Sequence, residues 1–281
     1  MNEDYTHHLL AAGRSDIGLQ RSINQDAYRT QIPAPGIKSS HALFAVADGV
    51  GGNLPHGEAA SRAAVDALVD AYYKLPETMD SLSRAQQALQ SAHQAVKQKA
   101  SSLSEALIGT TLAGLALTPA GEAVVFNVGD SRVYRVRGNV TEQISQDQVA
   151  SDDPNVLKDE FREKRVTKVS SYLGQNKPLE PNFYRLKVQP DDIYVICTDG
   201  IWSVVGEKEL REVVTRMPPD AAADHLVGLV KQRNAADNLT LIVVRLSPRG
   251  AGSRRNVLIV LLVLVLLIAI VAVLVLSKPL P

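Results

Sequence analysis

The 281-residue chain has one cysteine, Cys197. A single thiol closes no disulfide framework and no multi-cysteine zinc site, so the fold rests on its apolar core in a thiol-reducing compartment. Net charge is missing as well, since 30 Lys and Arg offset 30 Asp and Glu. No global field draws the chain toward a polyanion, which argues against nucleic-acid binding. The N-terminus, MNEDYTHHLL, carries acids and no apolar run, so it does not read as a signal peptide. No internal repeat is found. His93 lies beside an apolar helical stripe without a ligand partner at helical spacing and reads as a core residue.

The chain is 45% hydrophobic, ample for a core. Its longest apolar run, Val257 to Leu276, passes twenty residues without a charge or polar side chain. At ~1.5 Å per residue that spans the ~30 Å hydrocarbon layer of a bilayer. Arg249, Arg254 and Arg255 precede the run and only Lys278 follows it, an excess that places the preceding side in the cytoplasm. The expected organisation is a folded head over 1–246, a flexible basic linker over 247–256, a single transmembrane helix over 257–276 and a short tail over 277–281. The head would then face the cytoplasm from the inner membrane.

Within the head, HALFAVA, TTLAGLAL, EAVVFNV, SRVYRVR, NFYRLKV, DIYVICT and LTLIVVRL read as strands. Short polar turns at 118–121 and 137–139 predict antiparallel hairpins rather than βαβ units. A 3.6-residue period predicts long helices over 58–75 and through Leu82 to Leu103, and shorter ones at Glu207 to Arg216 and Ala221 to Lys231. The stretch from about 145 to 180 is unpatterned and charged, as expected of a flap beside a site.

The chemistry lies at strand ends. Asp48 and Asp199 each end an apolar strand and precede a glycine; Asp130 follows a third strand, and Asp237 stands just before a fourth. If these strands pack as neighbours, four carboxylates meet at one edge, an arrangement that is unfavourable unless cations neutralise it. Oxygen donors without paired histidine or thiolate suit Mg²⁺ or Mn²⁺. Upstream, LQRSINQDAY adds Arg21, Asn24 and Asp26. A guanidinium fork near a hard-metal cluster points to phosphate chemistry.

The ordered set RSINQDA, FAVADGVGG, GEAAS, GTT, NVGDSRVY, CTDGIW and ADNLTLIVV closely resembles the motifs of the metal-dependent serine/threonine phosphatases, the PPM or type 2C family, especially its compact bacterial members. The resemblance covers Gly13 to Leu246. It implies an α+β, four-layer α-β-β-α sandwich of two antiparallel sheets, with two Mn²⁺ or Mg²⁺ ions at one end and in some relatives a third. By position, Asp48 would bridge both metals, the Gly49 carbonyl would complete one, and Asp199 and Asp237 would hold the other. Asp130 with Asp199 would take the third, Asp26 would stand in the outer shell, and Arg21 would clasp the substrate phosphate. The implied nucleophile is a metal-activated water. Gln25 occupies a position where the family commonly has Glu, and Asn53 one where many bacterial relatives have His; His56, three residues on, is a candidate general acid.

The function expected is hydrolysis of phosphoserine and phosphothreonine in proteins, opposing a cognate Ser/Thr kinase and acting on membrane-associated substrates. Two alternatives stand beside it: a membrane-tethered pseudophosphatase that binds without turnover, and a metallohydrolase of small phosphoesters.

Overall fold

The computed structural model describes residues 9–32, 41–50, 56–103, 108–149, 169–234 and 236–246. The expected linker, transmembrane segment 257–276 and tail, most of the flap, and Asn53 lie outside these residues. Among the described residues no helix is long and apolar enough to cross a membrane.

In chain order the elements are β1 (Leu9–Asp16), β2 (Asp26–Gln31), β3 (Ala42–Val50), α1 (Gly57–Lys74), α2 (Ser81–Ser102), β4 (Gly109–Thr110), β5 (Leu112–Leu117), β6 (Glu122–Val128), β7 (Arg132–Arg137), β8 (Val140–Gln143), β9 (Asn182–Lys187), β10 (Ile193–Cys197), α3 (Asp199–Trp202), α4 (Glu207–Arg216), α5 (Pro219–Gln232) and β11 (Leu239–Leu246). One sheet runs β1-β11-β10-β7-β8; the other runs β2-β3-β5-β6-β9, with β4 paired to β3. The neighbouring pairs are antiparallel.

Three apolar layers separate four structural ones. Phe44, Val46, Leu115 and Val125 meet Tyr194, Ile196, Ile242 and Val244 between the sheets. Leu43, Ala45 and Ala47, the alternate residues of β3, face Leu68, Tyr72, Leu89 and Val96 of α1 and α2. Val195, Cys197, Leu241 and Val243 are covered by Val214 and Leu226 of α4 and α5. Central strands are thus buried on both faces, which is why their sequences are continuously apolar rather than alternating.

The expected strands and the four helices are present, with shifts at helix ends such as Pro219 for Ala221. Sequence patterning did not show β1, β2, β4 or α3. β1 and β2 are outer strands of their sheets and half solvated, so neither carries a long apolar run. β4 and α3 are too short for a period to register. His93 is a core residue: its buried ring accepts the Gly174 N–H at 3.1 Å through Nδ1.

Candidate metal centre

Strand direction decides which acids meet. β3 and β6 both run antiparallel to β5, so their C-terminal ends share an edge with Asp48 and Asp130. β2 begins where β3 ends, which sets Asp26 directly opposite Asp48 in register. β10 ends where β11 begins, bringing Asp199 beside Asp237. The two sheets are tied at this edge by the Thr198 hydroxyl, which donates to Asp26 Oδ2 at 2.8 Å.

Asp48 is held by its backbone. Its N–H donates to Thr111 Oγ1 at 3.0 Å, and its carbonyl accepts from Thr110 Oγ1 and the Thr111 N–H, each at 2.8 Å. Thr111 Oγ1 also bonds Ser131 Oγ at 2.8 Å. At Gly49 the first turn of α1 comes so close that a Cβ would stand 2.7 Å from the Gly57 backbone, so no larger residue fits. The Asp48 carboxyl stands close enough to those of Asp26 and Asp199 for their charges to oppose its ionisation.

Asn238 organises the other side. Its Nδ2 donates to the carbonyls of Ile17 and Ile23 at 2.9 and 3.0 Å, and its Oδ1 accepts the Gln25 N–H at 2.9 Å. The Asn238 N–H donates to Asp237 Oδ1 at 2.8 Å, and Arg21 donates to Asp237 Oδ2 at 2.7 Å. That ion pair, with Asp48 and Asp199 nearby, raises the Arg21 pKa further. At Asp130 the backbone carbonyl accepts Trp202 Nε1–H at 3.0 Å. Trp202 stacks against Arg132, 3.6 Å from the ring centroid, and Arg132 forks onto Asp147.

Burial is the main cause of unusual acidity here, and mutual repulsion adds to it. Asp26 is pushed up to about 6 by desolvation and then by Asp237. Asp199 is pushed up to about 7 by desolvation, then by Asp130 and Asp237. Asp48 rises well above the carboxylate range for the same reason, with Asp26 its largest charged neighbour. Asp26 Oδ1 and Asp199 Oδ1 are sealed from solvent without a hydrogen-bond donor. Among the described residues no three acids stand in closed ligating geometry. Sealed carboxylate oxygens that lack donors and are pushed toward protonation nevertheless fit a hard divalent cation, which would supply the missing positive charge.

The edge thus gathers Arg21, Asp26, Asp48, Gly49, Asp130, Asp199 and Asp237. His56 is placed differently: it opens α1 at φ 74°, its carbonyl accepts the Ala59 and Ala60 N–H groups, and among the described residues no hydrogen bond or ion pair joins its ring to the acids. Sequence reasoning gave no role to Thr110, Thr111, Thr198, Asn238 or Trp202, although they lie inside or beside the motifs that carried the resemblance. It also passed over Glu58, whose Oε2 is buried without a partner in the first turn of α1.

Residues 13–233 match the family described as Protein phosphatase 2C. Protein phosphatase PhpP of Streptococcus pneumoniae is 25% identical over 247 residues, covering 84% of this chain and 97% of that protein. PppA of Pseudomonas aeruginosa, described as a key regulatory component of T6SS, has a similar structure with TM-score 0.68 at 32% identity, over 85% of this chain and 97% of that one. The catalytic domain of the serine/threonine protein phosphatase PstP, solved with 2 manganese ions, gives TM-score 0.70 at 26% identity over 85% and 99%. With the family match running from the first strand into the last helix, the chain belongs to the protein phosphatase 2C family and is a Mn²⁺- or Mg²⁺-dependent serine/threonine protein phosphatase.

Proposed function

We propose that the acid edge is a binuclear centre that hydrolyses phosphoserine and phosphothreonine in proteins. In this reading Asp48, the Gly49 carbonyl, Asp199 and Asp237 would hold the catalytic ions, Asp130 with Asp199 would hold a further one, and Asp26, opposite Asp48 in register, would support them. Ions held there would supply an activated water and Lewis-acid polarisation of the phosphoryl group.

The protein's own groups do the rest. Arg21 stays cationic throughout the working pH range and offers a fork matched to two phosphate oxygens. Its bond to Asp237 holds the guanidinium against the metal edge, so the phosphate is placed by the same side chain that binds it. The Thr110 and Thr111 bonds limit the backbone freedom of Asp48, which favours a site already shaped before substrate arrives. The observation that carries this reading is the pair of sealed, donor-less oxygens at Asp26 and Asp199 beside the Arg21–Asp237 pair. Phosphopeptide hydrolysis with chelator and with added Mn²⁺ tests it: activity should vanish and return, and full activity of metal-stripped protein would refute the mechanism.

The apolar run 257–276 supports a single-pass anchor with the head in the cytoplasm, where it opposes a Ser/Thr kinase on membrane-associated substrates. An anchor following the head in the chain would raise its effective concentration toward substrates in the same membrane. Removing 247–281 should leave hydrolysis of a free phosphopeptide unchanged while natural targets in cells stay phosphorylated. Restoration of every target by the truncated head would refute the anchoring role.

A further inference from the structure

Seven large hydrophobic side chains are exposed among the described residues, and three of them, Ile17, Leu19 and Ile23, lie in the β1–β2 loop that carries Arg21. They are 38%, 53% and 50% exposed, and none belongs to a core cluster. Scattered exposed aliphatics need no explanation, but three on one short loop with a candidate phosphate-binding cation do.

The loop is also built to hold its shape. Asn238 Nδ2 bonds the carbonyls of both Ile17 and Ile23, drawing the two ends of the loop to one nitrogen. Between them Gly18, at φ 77°, packs so closely on Asp237 that a Cβ would come 2.2 Å from its carbonyl oxygen. Gly18 N–H is further bonded to Asp16 Oδ1 at 2.9 Å. The loop therefore packs on the backbone of the residue that ion-pairs with Arg21, and its exposed aliphatic residues share that loop with Arg21.

We infer that Ile17, Leu19 and Ile23 form an apolar collar that binds aliphatic side chains next to the phosphoserine or phosphothreonine of a protein substrate. This rests on the phosphatase reading of the same site and adds the substrate class it selects. Ile17, Leu19 and Ile23 stand four and two residues before and two after Arg21 on the same anchored loop, so a phosphorylated segment seated on the guanidinium would meet both the charge and the exposed aliphatic residues. A second copy of the chain, having no phosphate to offer, would bury the Arg21–Asp237 pair at a desolvation penalty. The basic neighbours of the loop are already engaged, Lys231 with Asp16 and Arg14 with Asp224, which favours aliphatic over acidic flanks. Because the loop is preorganised, little ordering entropy opposes binding.

Covering the exposed half of one aliphatic side chain is worth roughly three- to tenfold in affinity. The test uses Mn²⁺-loaded full-length protein and two non-hydrolysable phosphonate peptides, one with leucines flanking the phosphoserine analogue and one with glycines, compared by calorimetry. Wild type should bind the leucine-flanked peptide on the order of tenfold more tightly. The combined Ile17→Ser, Leu19→Ser and Ile23→Ser variant should bring that ratio close to one, with thermal midpoint as the folding control. Leu19→Ser alone should lose about threefold of it, which keeps the test open if the combined variant fails to fold. Equal binding of both peptides by wild type, or a preference that survives in the variants, overturns the collar. So does a wild-type dimer that the variants convert to monomer with no change in peptide preference. Turnover of the matching phosphoserine peptides is scored separately: no turnover of either refutes the phosphatase reading, whereas turnover without a flank preference refutes the collar alone.

Discussion

With the metal withdrawn, lowering the pH should stabilise this protein, against the usual behaviour of an acid-exposed fold. Desolvation and neighbouring acids raise Asp199 from 3.8 to about 7 and Asp26 from 3.8 to about 6. A carboxyl whose pKa is raised on folding binds protons that the unfolded chain has already lost, so unfolding free energy falls as pH rises between about 4 and 7. At pH 7.5 the penalty is on the order of 4 kcal/mol at Asp199 and ~3 kcal/mol at Asp26, overlapping because the two acids share one field. Going from pH 7.5 to 5.0 should relieve roughly 3 kcal/mol, which for a domain of this size is a rise of about 6–12 °C in Tm. His41 and His93 act in the opposite sense. Burial holds both below 6.5, so the fold keeps them neutral and loses stability as pH falls through that range. Differential scanning calorimetry of chelated wild type and Asp199→Asn at several pH values separates the two effects, because the histidines cancel in the difference. The variant should melt higher than wild type at pH 7.5 and lose most of the acid-side gain. With saturating Mn²⁺ the slope reverses, since bound ions require the deprotonated carboxylates. A chelated wild type whose Tm tracks that of Asp199→Asn at every pH would show that the acids do not share a confined site.

Other substitutions separate metal holding, phosphate binding and bracing. Asp48→Asn, Asp199→Asn and Asp237→Asn should each reduce phosphopeptide turnover by about a hundredfold or more, and near-normal steady-state rates in all three would place the chemistry elsewhere. Arg21→Ala should lose on the order of 2 to 4 kcal/mol in kcat/KM with KM affected at least as much as kcat, and unchanged phosphate inhibition would deny Arg21 a binding role. Thr111→Val removes the acceptor of the Asp48 N–H and should lower stability by about 1–3 kcal/mol in urea unfolding, while raising the Mn²⁺ concentration needed for half-activity. An unchanged Mn²⁺ requirement would leave Thr111 a purely structural residue.

Much of the fold was legible because its central strands, β3, β10 and β11, are buried on both faces and so are apolar at nearly every position. α1 and α2 were legible for the complementary reason, one buried face repeating every three to four residues. The outer strands β1 and β2 were not, because half-solvated strands accept Arg, Asp, Thr and Gln, and a local window cannot distinguish that from a loop. Asp48 and Asp199 could be picked out singly as acids ending apolar strands. That Asp26 lies across the register from Asp48, that Asn238 fastens the loop beneath Arg21, and that Thr198 links the two sheets at the acid edge were decided only by tertiary structure. Apolar periodicity is a local consequence of burial and is written along the chain. The raised carboxyl pKa values arise from low dielectric and from charges that strands distant in sequence bring into one volume, and only the folded arrangement of both sheets creates that volume.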